Sequence, residues 1–415
     1  MKTNILKIAI CMFMVAVCSV QTKAQMSSYD KNEPIGWAVA TGEVTGAGDV
    51  PYDTVTVTTA SELRTYLNTA STRNYLILID GEIEVSSLIS ISGRSNKTII
   101  GLPGSALVNS THTSSTSGTG ILRLANCNNI IIRNVTFKGA GAYDIDGNDN
   151  LHLQGSTNIW VDHCDFQDGV DGNFDITNGS DSISVTWCRF RYFIEPWAGG
   201  SGGSDDHRYC TLIGGSDSNA SQDETHLNIT FANCWWDEGC RERMPRVRFG
   251  KVHVLNCLYS SSVSNYCVGG GYKSNVYIEN STFVDQSRPW RNYATSGSYT
   301  DYNYTITGCS GASDAQGRSG SIEYFIPSDY YTYSPMAVDL VQTEVGTYAG
   351  ATLTVDENGN IASAIKSVAT GDAEIVSTSY YNMSGMMLSH PQKGLNIIRH
   401  KMSDGTVKTI KVIIR

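Results

Sequence analysis

Short runs of apolar and β-branched residues recur along the chain, and each run ends at a polar corner followed by an aromatic residue. Six such segments align: NIIIRNVTF (129–137), IWVDHCDF (159–166), ISVTWCRF (183–190), ITFANCWW (229–236), VHVLNCLY (252–259) and VYIENSTF (276–283). The interval from Phe190 to Trp236 is about twice the others, and we interpret it as two coils, with residues 209–213 filling the gap. A repeat this short holds two or three strands but no βα unit. The pattern predicts an all-β right-handed parallel β-helix.

Two columns of the alignment support stacked coils. One holds asparagine, which tolerates a tight corner and can hydrogen-bond to a stacked neighbour: Asn134, Asn233, Asn256 and Asn280. The next holds cysteine, and we interpret it as an inward position for small apolar side chains rather than as disulfide partners: Cys164, Cys188, Cys234 and Cys257.

The repeats have distinct flanks. Residues 55–75 predict a strand and a helix capped near Thr59 or Ser61, which would cover the open end of the coils. Coils are expected from about Leu76 to residue 311, and residues 312–350 are expected to pack back along them. From residue 352 to 415, three alternating strands predict a small C-terminal β module, with a final cap of the β-helix as the alternative.

Residues 1–24 have a lysine-containing start, an apolar stretch from Ile8 to Val20 and a small-residue cleavage site, which is typical of a secretory signal peptide. We therefore expect a secreted protein whose β-helix domain spans residues 25–351. No later stretch is apolar over a length that would cross a bilayer, so no transmembrane segment is predicted. Nine cysteines remain after cleavage, and this odd number leaves at least one thiol unpaired.

Composition narrows the functional classes. The 415 residues are 17% charged and 40% apolar, which excludes a disordered chain, and the net charge is −10. Removing residues 1–24, which carry three lysines and no acid, takes the net charge from −10 to −13. Such a balance argues against a nucleic-acid partner.

Carboxylates gather after two consecutive predicted strands. Asp149 precedes one strand, and Asp171 and Asp175 flank the start of the next. Carboxylates from adjacent coils make an oxygen-rich pocket suited to Ca²⁺, although any one of them could be a solvated turn residue.

A basic segment, CRERMPRVR (240–248), carries four arginines in an otherwise acidic chain. It predicts an anion site, with an Arg–Asp network between coils as the alternative. Between the acidic and basic segments lies DDHRYCTLIGG (205–215). Aromatic residues that could stack on sugar rings are Trp197, Trp235, Trp236, Tyr272 and Trp290, and alternation places one of the tryptophan pair in the core.

At these motifs the chain resembles the pectate lyase family over roughly residues 35–350. The resemblance rests on STNIWVDHCDFQDG (156–169), GNFDITNGSDSISVTWCRF (172–190) and CRERMPRVRFG (240–250). It implies calcium-dependent β-elimination on polygalacturonate by a monomeric enzyme. It further implies calcium ligands at Asp149, Asp171 and Asp175, a proton abstractor at Arg243, and a substrate-carboxylate binder at Arg248.

Substrate contacts are also expected from Arg246, Arg208 and Tyr209. Tyr209 stands where many members have a lysine, and Gly147 stands where some have a further acid. Because arginine is normally protonated, Arg243 either has a lowered pKa or stabilises the oxyanion while another group takes the proton.

Two other functions stay open at this point. A hydrolase on the same scaffold would need a carboxylate pair, for which Asp205 and Asp206 are the candidates. The other alternative function is that of a non-catalytic glycan-binding β-helix. If the protein is a lyase, methyl-esterified pectin is the alternative substrate. The C-terminal β module resembles those of exported Bacteroidetes-type proteins, where it acts as a sorting signal or an accessory module.

Overall fold

A computed structural model describes residues 32–294, 298–361, 375–382, 386–388, 390–402 and 407–414. The predicted signal peptide lies outside these residues. The chain divides into two compact units, residues 1–362 and 363–415. No helix in the described part of the chain is long and apolar enough to cross a bilayer.

Three parallel sheets run the length of the first unit, and successive strands of the chain pass from one sheet to the next. We number the strands along the chain. The first sheet ends in one antiparallel strand, β27, and contains β1 (Asp53–Val57), β2 (Tyr75–Ile79), β5 (Ser95–Gly101), β8 (Asn128–Arg133), β11 (Thr157–Asp162), β14 (Asp181–Thr186), β17 (Ile229–Ala232), β20 (Lys251–Leu255), β23 (Ser274–Glu279), β26 (Tyr302–Thr307) and β27 (Ala315–Ser319).

The other two sheets have eight strands each. The second sheet contains β4 (Ile89–Ser92), β7 (Leu122–Ala125), β10 (Leu151–Gln154), β13 (Phe174–Thr177), β16 (Leu212–Ile213), β19 (Arg246–Val247), β22 (Val268–Gly270) and β25 (Trp290–Asn292). The third contains β3 (Glu82–Glu84), β6 (Ala106–Val108), β9 (Thr136–Lys138), β12 (Asp165–Gln167), β15 (Arg189–Arg191), β18 (Trp235–Trp236), β21 (Leu258–Tyr259) and β24 (Thr282–Phe283). The predicted right-handed parallel β-helix is confirmed.

The terminal aromatics of the repeats form a stacked ladder in the third sheet. Their ring centroids are 4.5–5.3 Å apart and their planes are within 10° of parallel. The spacing is close to the distance between adjacent strands, so one ring fits each coil. The ladder consists of Phe137, Phe166, Phe190, Trp236, Tyr259 and Phe283.

The asparagine column turns the corner between the first and third sheets. All four residues have φ between 44° and 57°, the left-handed region that asparagine tolerates better than most residues. The Asn134 amide donates to the carbonyl of Gly101 on the preceding coil, and the Asn256 amide donates to that of Asn280 on the next. The corner prediction is confirmed.

The cysteine column is buried and unpaired, as predicted. Cys164, Cys188, Cys234 and Cys257 are free thiols, and each Sγ lies 3.4–3.7 Å from a carbonyl oxygen of the preceding coil. The other five described cysteines are also free.

The interpretation of the long interval between Phe190 and Trp236 as two coils is wrong. Phe190 pairs directly with Trp236, and Ile183 pairs directly with Ile229, so these residues lie on consecutive coils. The single coil between them is long because residues 192–211 form an extended loop before β16, and residues 214–228 form a second one after it. The interval matches two coil lengths only by coincidence.

Helices close the ends and one side of the coils. Helix α1 spans Trp37–Ala40, and α2 spans Ala60–Leu67 with Thr59 as its N-cap in a capping box with Glu62. Short α3 spans Ala220–Asp223, and α4 spans Val338–Tyr348. Single 3₁₀ turns occur at Thr116–Gly118 and Pro327–Asp329. The buried face of α4, Val341 and Val345, packs against Trp187 and Leu258, so the predicted return along the coils is observed.

The second unit is an antiparallel sheet. It comprises β28 (Ile375–Tyr381), β29 (Met387–Leu388), β30 (Gly394–Met402) and β31 (Val407–Ile414), in the order β29-β28-β30-β31. The division of the chain falls after residue 362 rather than after 351. Leu353 and Val355 pack against Leu78 and Ile100, which places residues 352–361 with the β-helix.

Candidate active site

The second sheet carries the predicted functional residues on four consecutive coils. Asp149 lies just before β10, and Asp175 is the second residue of β13. The next two coils place Leu212 and Arg246 in register with one another. Ile176 pairs with Ile213, so the residues before them, Asp175 and Leu212, are also in register. Asp175, Leu212 and Arg246 therefore form one column that crosses three successive coils. Parallel stacking thus brings residues that are far apart in sequence onto one face.

Two of the three predicted aspartates, Asp149 and Asp175, approach each other beside Gly172, the residue that follows Asp171. A Cβ at this position would lie 2.7 Å from Oδ1 of Asp149 and 3.3 Å from Oδ1 of Asp175, so the glycine leaves room for both oxygens. Asp149 and Asp175 are buried, and Asp171 is partly exposed. Oδ1 of Asp149 accepts no hydrogen bond, whereas Oδ1 of Asp175 accepts one from the backbone N–H of Leu212.

These carboxylates perturb one another. Burial, followed by the charges of Asp175 and Asp171, raises the pKa of Asp149 well above its usual value. Burial also raises the pKa of Asp175 to about 7, against the opposing charge of Arg243. Crowded and desolvated carboxylates of this kind are stabilised by a divalent cation, so the residues present fit a calcium site.

The arginine segment lies across from the aspartates. A cavity of about 350 Å³ is lined by Asp171 and Asp175 together with Arg243, Arg246 and Arg248. Arg243 adopts φ 58°, an uncommon conformation for a residue with a side chain, and such conformations cluster at functional sites. The predicted acidic and basic segments therefore face one cavity.

The three arginines differ in their surroundings. Burial lowers the pKa of Arg243, but Asp175 and Asp171 outweigh this and raise it overall. Burial and the neighbouring Arg248 lower the pKa of Arg246, whose Nε has no hydrogen-bond partner. Arg248 donates to Asp217 and to the carbonyl of Gly214 at 2.8 and 3.0 Å.

Tyr209 supports Arg243. The Arg243 guanidinium carbon lies 4.5 Å from the centroid of the Tyr209 ring, a cation–π contact. The Tyr192 hydroxyl donates to the Tyr209 carbonyl and fixes its backbone. The tyrosine that replaces the family's lysine thus contacts an arginine of the cavity.

Arg208 is not brought into this cavity. Its Nε and one terminal nitrogen donate to the two oxygens of Asp206, both at 2.7 Å, and Arg241 contacts the same carboxylate at 3.1 Å. Asp205 accepts a hydrogen bond from the backbone of Gly199. Since two arginines hold Asp206, the Asp205–Asp206 pair does not provide a free acid and base for hydrolysis.

The five aromatic residues proposed to stack on sugar rings differ in their surroundings. Trp236 is in the core, Trp235 packs beneath Arg189, and Trp290 stacks on Tyr304. Tyr272 packs against the core through Phe249. Trp197, on the long loop, is 41% exposed and stacks on His112 at 3.9 Å.

The sequence reasoning missed three titratable residues of the cavity, Asp144, Asp146 and His207. Asp144 and His207 line it together with Asp171, and ligand atoms of these three lie within 4.8 Å of one another. His207 lies within the 205–215 segment singled out from the sequence, but Asp144 shares no motif with it. Their proximity depends on the long loop returning over the segment between β9 and β10, two coils earlier.

The three stacked parallel sheets place the protein in the class of parallel β-helix proteins, with acidic and arginine side chains lining one cavity. A solved pectate lyase bound to a hexasaccharide superposes with a TM-score of 0.55 and 21% identity, covering 82% of this chain and all of the other.

The family model described as pectate lyase matches residues 1–354. The chain is 34% identical to the probable pectate lyase B of Aspergillus terreus over 263 residues, which are 59% of this chain and 70% of the relative. It is 29% identical to the pectate trisaccharide-lyase of Thermotoga maritima over 290 residues, 66% of this chain and 68% of the relative. The chain belongs to the pectate lyase family, and it is a polysaccharide lyase.

Proposed function

We propose that the protein is a secreted, calcium-dependent pectate lyase that acts as a monomer on de-esterified polygalacturonate. It cleaves the polymer by β-elimination and leaves a 4,5-unsaturated sugar at the new end. The observation that carries the proposal is the cavity lined by both Asp171 and Asp175 and by three arginines, Arg243, Arg246 and Arg248.

Asp149, Asp171 and Asp175 are the residues that would hold calcium. Their support is the unpartnered Oδ1 of buried Asp149 and the mutual destabilisation of the three carboxylates. Bound calcium would withdraw charge from the carboxylate of the reacting uronate and would offset the field of the aspartates that raises the pKa of Arg243.

The arginines act on the polyanionic substrate. Arg246 and Arg248 bind and orient carboxylates of the sugar chain through charge-assisted hydrogen bonds. Arg243, in the neutral form that a cation nearby would favour, takes the proton from C5, next to the carboxylate. The C5–H electron pair forms the C4=C5 double bond, and the C4–O bond breaks with its electron pair leaving on the departing oxygen, which is then protonated by water. The Tyr209 ring and the surrounding coils hold the Arg243 guanidinium in place and keep water from it.

The acidic side of the cavity favours the de-esterified polymer. Methyl esterification removes the carboxylate that a cation between Asp149, Asp171 and Asp175 would bridge. Esterified pectin is therefore expected to be a poor substrate.

The decisive experiment uses polygalacturonate with and without EDTA. We expect an ultraviolet-absorbing unsaturated product, its loss in EDTA and its recovery when Ca²⁺ is restored. The Asp175→Asn variant should need far more Ca²⁺ for activity, whereas exposed Asp49→Asn should behave as the wild type. Reducing ends without ultraviolet absorption would indicate a hydrolase, and neither signal would indicate a binding protein.

Arg243→Lys tests the proposed base. A lysine keeps the positive charge but loses the planar guanidinium, so we expect turnover to fall by two orders of magnitude or more. Calcium affinity, measured by isothermal titration, should stay near that of the wild type. Near-normal turnover in this variant would remove Arg243 from the proton-transfer role.

A further inference from the structure

His207 is a buried imidazole without hydrogen bonds. The residue is 6% exposed, and neither ring nitrogen has hydrogen-bond geometry with any protein atom. Nε2 nevertheless lies 3.0 Å from Oδ1 of Asp171, and Nδ1 lies 3.3 Å from Oδ1 of Asp144. A buried polar group left in this state has a cost unless something else binds it.

The Asp144 carboxylate is oriented by the backbone of the long loop. Its Oδ2 accepts a 2.7 Å hydrogen bond from the backbone of Ser204, which leaves Oδ1 toward His207. A Cβ at Gly202 would lie 2.0 Å from that Oδ1, so only glycine lets the loop backbone run this close to the Asp144 carboxylate. Backbone contacts of this kind orient metal-ligating carboxylates.

The donor set differs from that of the three aspartates. One ligand atom each from Asp144, Asp171 and His207 lies within 4.8 Å of the others. Asp171 lies against Nε2 and Asp144 against Nδ1, so a single ion would take one ring nitrogen of His207, and the carboxylate on the other side would turn toward that ion. One imidazole nitrogen with two carboxylate oxygens suits a first-row divalent transition ion, whereas calcium takes oxygen ligands. Donors around such an ion are roughly 3–4 Å apart, because each lies about 2 Å from the metal.

We propose that Asp144, Asp171 and His207 form a second metal site, for a first-row divalent transition ion, beside the three-aspartate calcium site. Asp171 belongs to both sets. Two dications that share one carboxylate repel each other, so each ion weakens the binding of the other by the same factor. The proposal rests on these side chains, and only the coupling depends on the proposed calcium site.

The test is a titration of the metal-free full chain with Co²⁺, whose ligand-field absorption reports nitrogen and oxygen ligands. We expect a visible band that saturates at about one equivalent. His207→Gln and Asp144→Asn should weaken Co²⁺ binding at least tenfold, whereas His226→Gln, at an exposed histidine, should bind as the wild type. The melting temperature of each variant shows whether it is folded.

The outcomes separate the two sites. Saturating Ca²⁺ should weaken Co²⁺ binding several-fold, and His207→Gln should retain calcium binding by isothermal titration. Absence of the band in the wild type, or an unchanged band in His207→Gln, would mean that the cluster is an Asp–His–Asp ion pair only. A Co²⁺ band in a protein without calcium-dependent lyase activity would overturn the proposed function and leave this site standing.

Discussion

The Tyr209 ring sits against the Arg243 guanidinium, where the family resemblance leads one to expect lysine. A cation–π contact of a desolvated guanidinium contributes about 1–2 kcal/mol. We therefore expect Tyr209→Leu to lower turnover about tenfold, because Arg243 loses its support, and Tyr209→Phe to keep most of the activity. Steady-state kinetics on polygalacturonate decide the matter. Equal losses in the two variants would assign the effect to the hydroxyl instead.

Asp162 is a buried carboxylate that stabilises a corner of the coils. It accepts hydrogen bonds from Arg133 and Thr186 and contacts His163 at 2.8 Å. Burial alone would raise the pKa of Asp162, but His163 and Arg133 outweigh it and hold the pKa below its usual value. The resulting stability is complete above the unfolded-state pKa of about 4 and is lost as the pH falls through the folded-state value.

Asp162→Asn should thus destabilise the protein by about 3 kcal/mol at neutral pH, since it leaves the buried Arg133 guanidinium uncompensated. The difference from the wild type should shrink below about pH 4, where the Asp162 carboxylate of the unfolded wild-type chain begins to protonate while that of the folded chain is still charged. Denaturant unfolding at pH 7 and pH 3 measures both effects. Exposed Asp80→Asn is the control, and a difference that does not depend on pH would contradict the electrostatic account.

At the scale of single elements, the loop of residues 192–211 decides what surrounds the cavity. It carries His207 and Tyr209, and it places Trp197 against His112, which lies between β6 and β7. Backbone hydrogen bonds from Trp197 and Gly202 to Ala142 and Asp144 fasten the loop to the segment between β9 and β10, two coils earlier. One inserted segment therefore contributes to both the proposed active site and the proposed second metal site.

Exposed Trp197 offers a ring face for sugar stacking. An aromatic contact of this kind contributes about 0.5–1.5 kcal/mol, so Trp197→Ala should raise KM two- to tenfold with little change in kcat. Trp290→Phe, in a ring packed on Tyr304, is the matched control and should leave KM unchanged. A fall in kcat at constant KM would instead show that the tryptophan only positions the loop.

The repeating elements could be predicted from the sequence because each coil repeats the same physical requirement. Asn134 and its equivalents mark a left-handed corner, and the aromatics mark an inward ring at the same phase of each coil. The number of coils between Phe190 and Trp236 could not be predicted, because an insertion of about one period leaves the phase of the pattern intact.

For the molecule as a whole, the chain forms two compact units, and the hydrophobic clusters of the described residues lie in the first. The first unit has its coils closed by α2 and covered along one side by α4, and the second is a four-stranded antiparallel sheet. Every residue of the proposed active site belongs to the first unit. The functional site is therefore expected to be independent of the C-terminal sheet.

Removal of residues 363–415 tests this independence. We expect the shortened enzyme to keep its turnover on polygalacturonate and to melt within a few degrees of the full chain. Leu353 and Val355 must be retained, because they pack against the first sheet, and a chain ending at residue 351 should melt lower. A large loss of turnover in the form that ends at residue 362 would show that the C-terminal sheet contributes to catalysis.

The β-helix, its ladders, and the acidic and arginine segments could be predicted from the chain alone, because a strand period and a coil period recur whatever lies in the loops. The folded structure was needed to show that Arg208 pairs with Asp206, that Tyr209 supports Arg243, and that Asp144 lies near His207 and Asp171. The first contact is made within the long loop, and the other two join this loop to other coils. No local pattern encodes them, because they depend on the path of a loop whose shape is set by single hydrogen bonds and glycine close approaches.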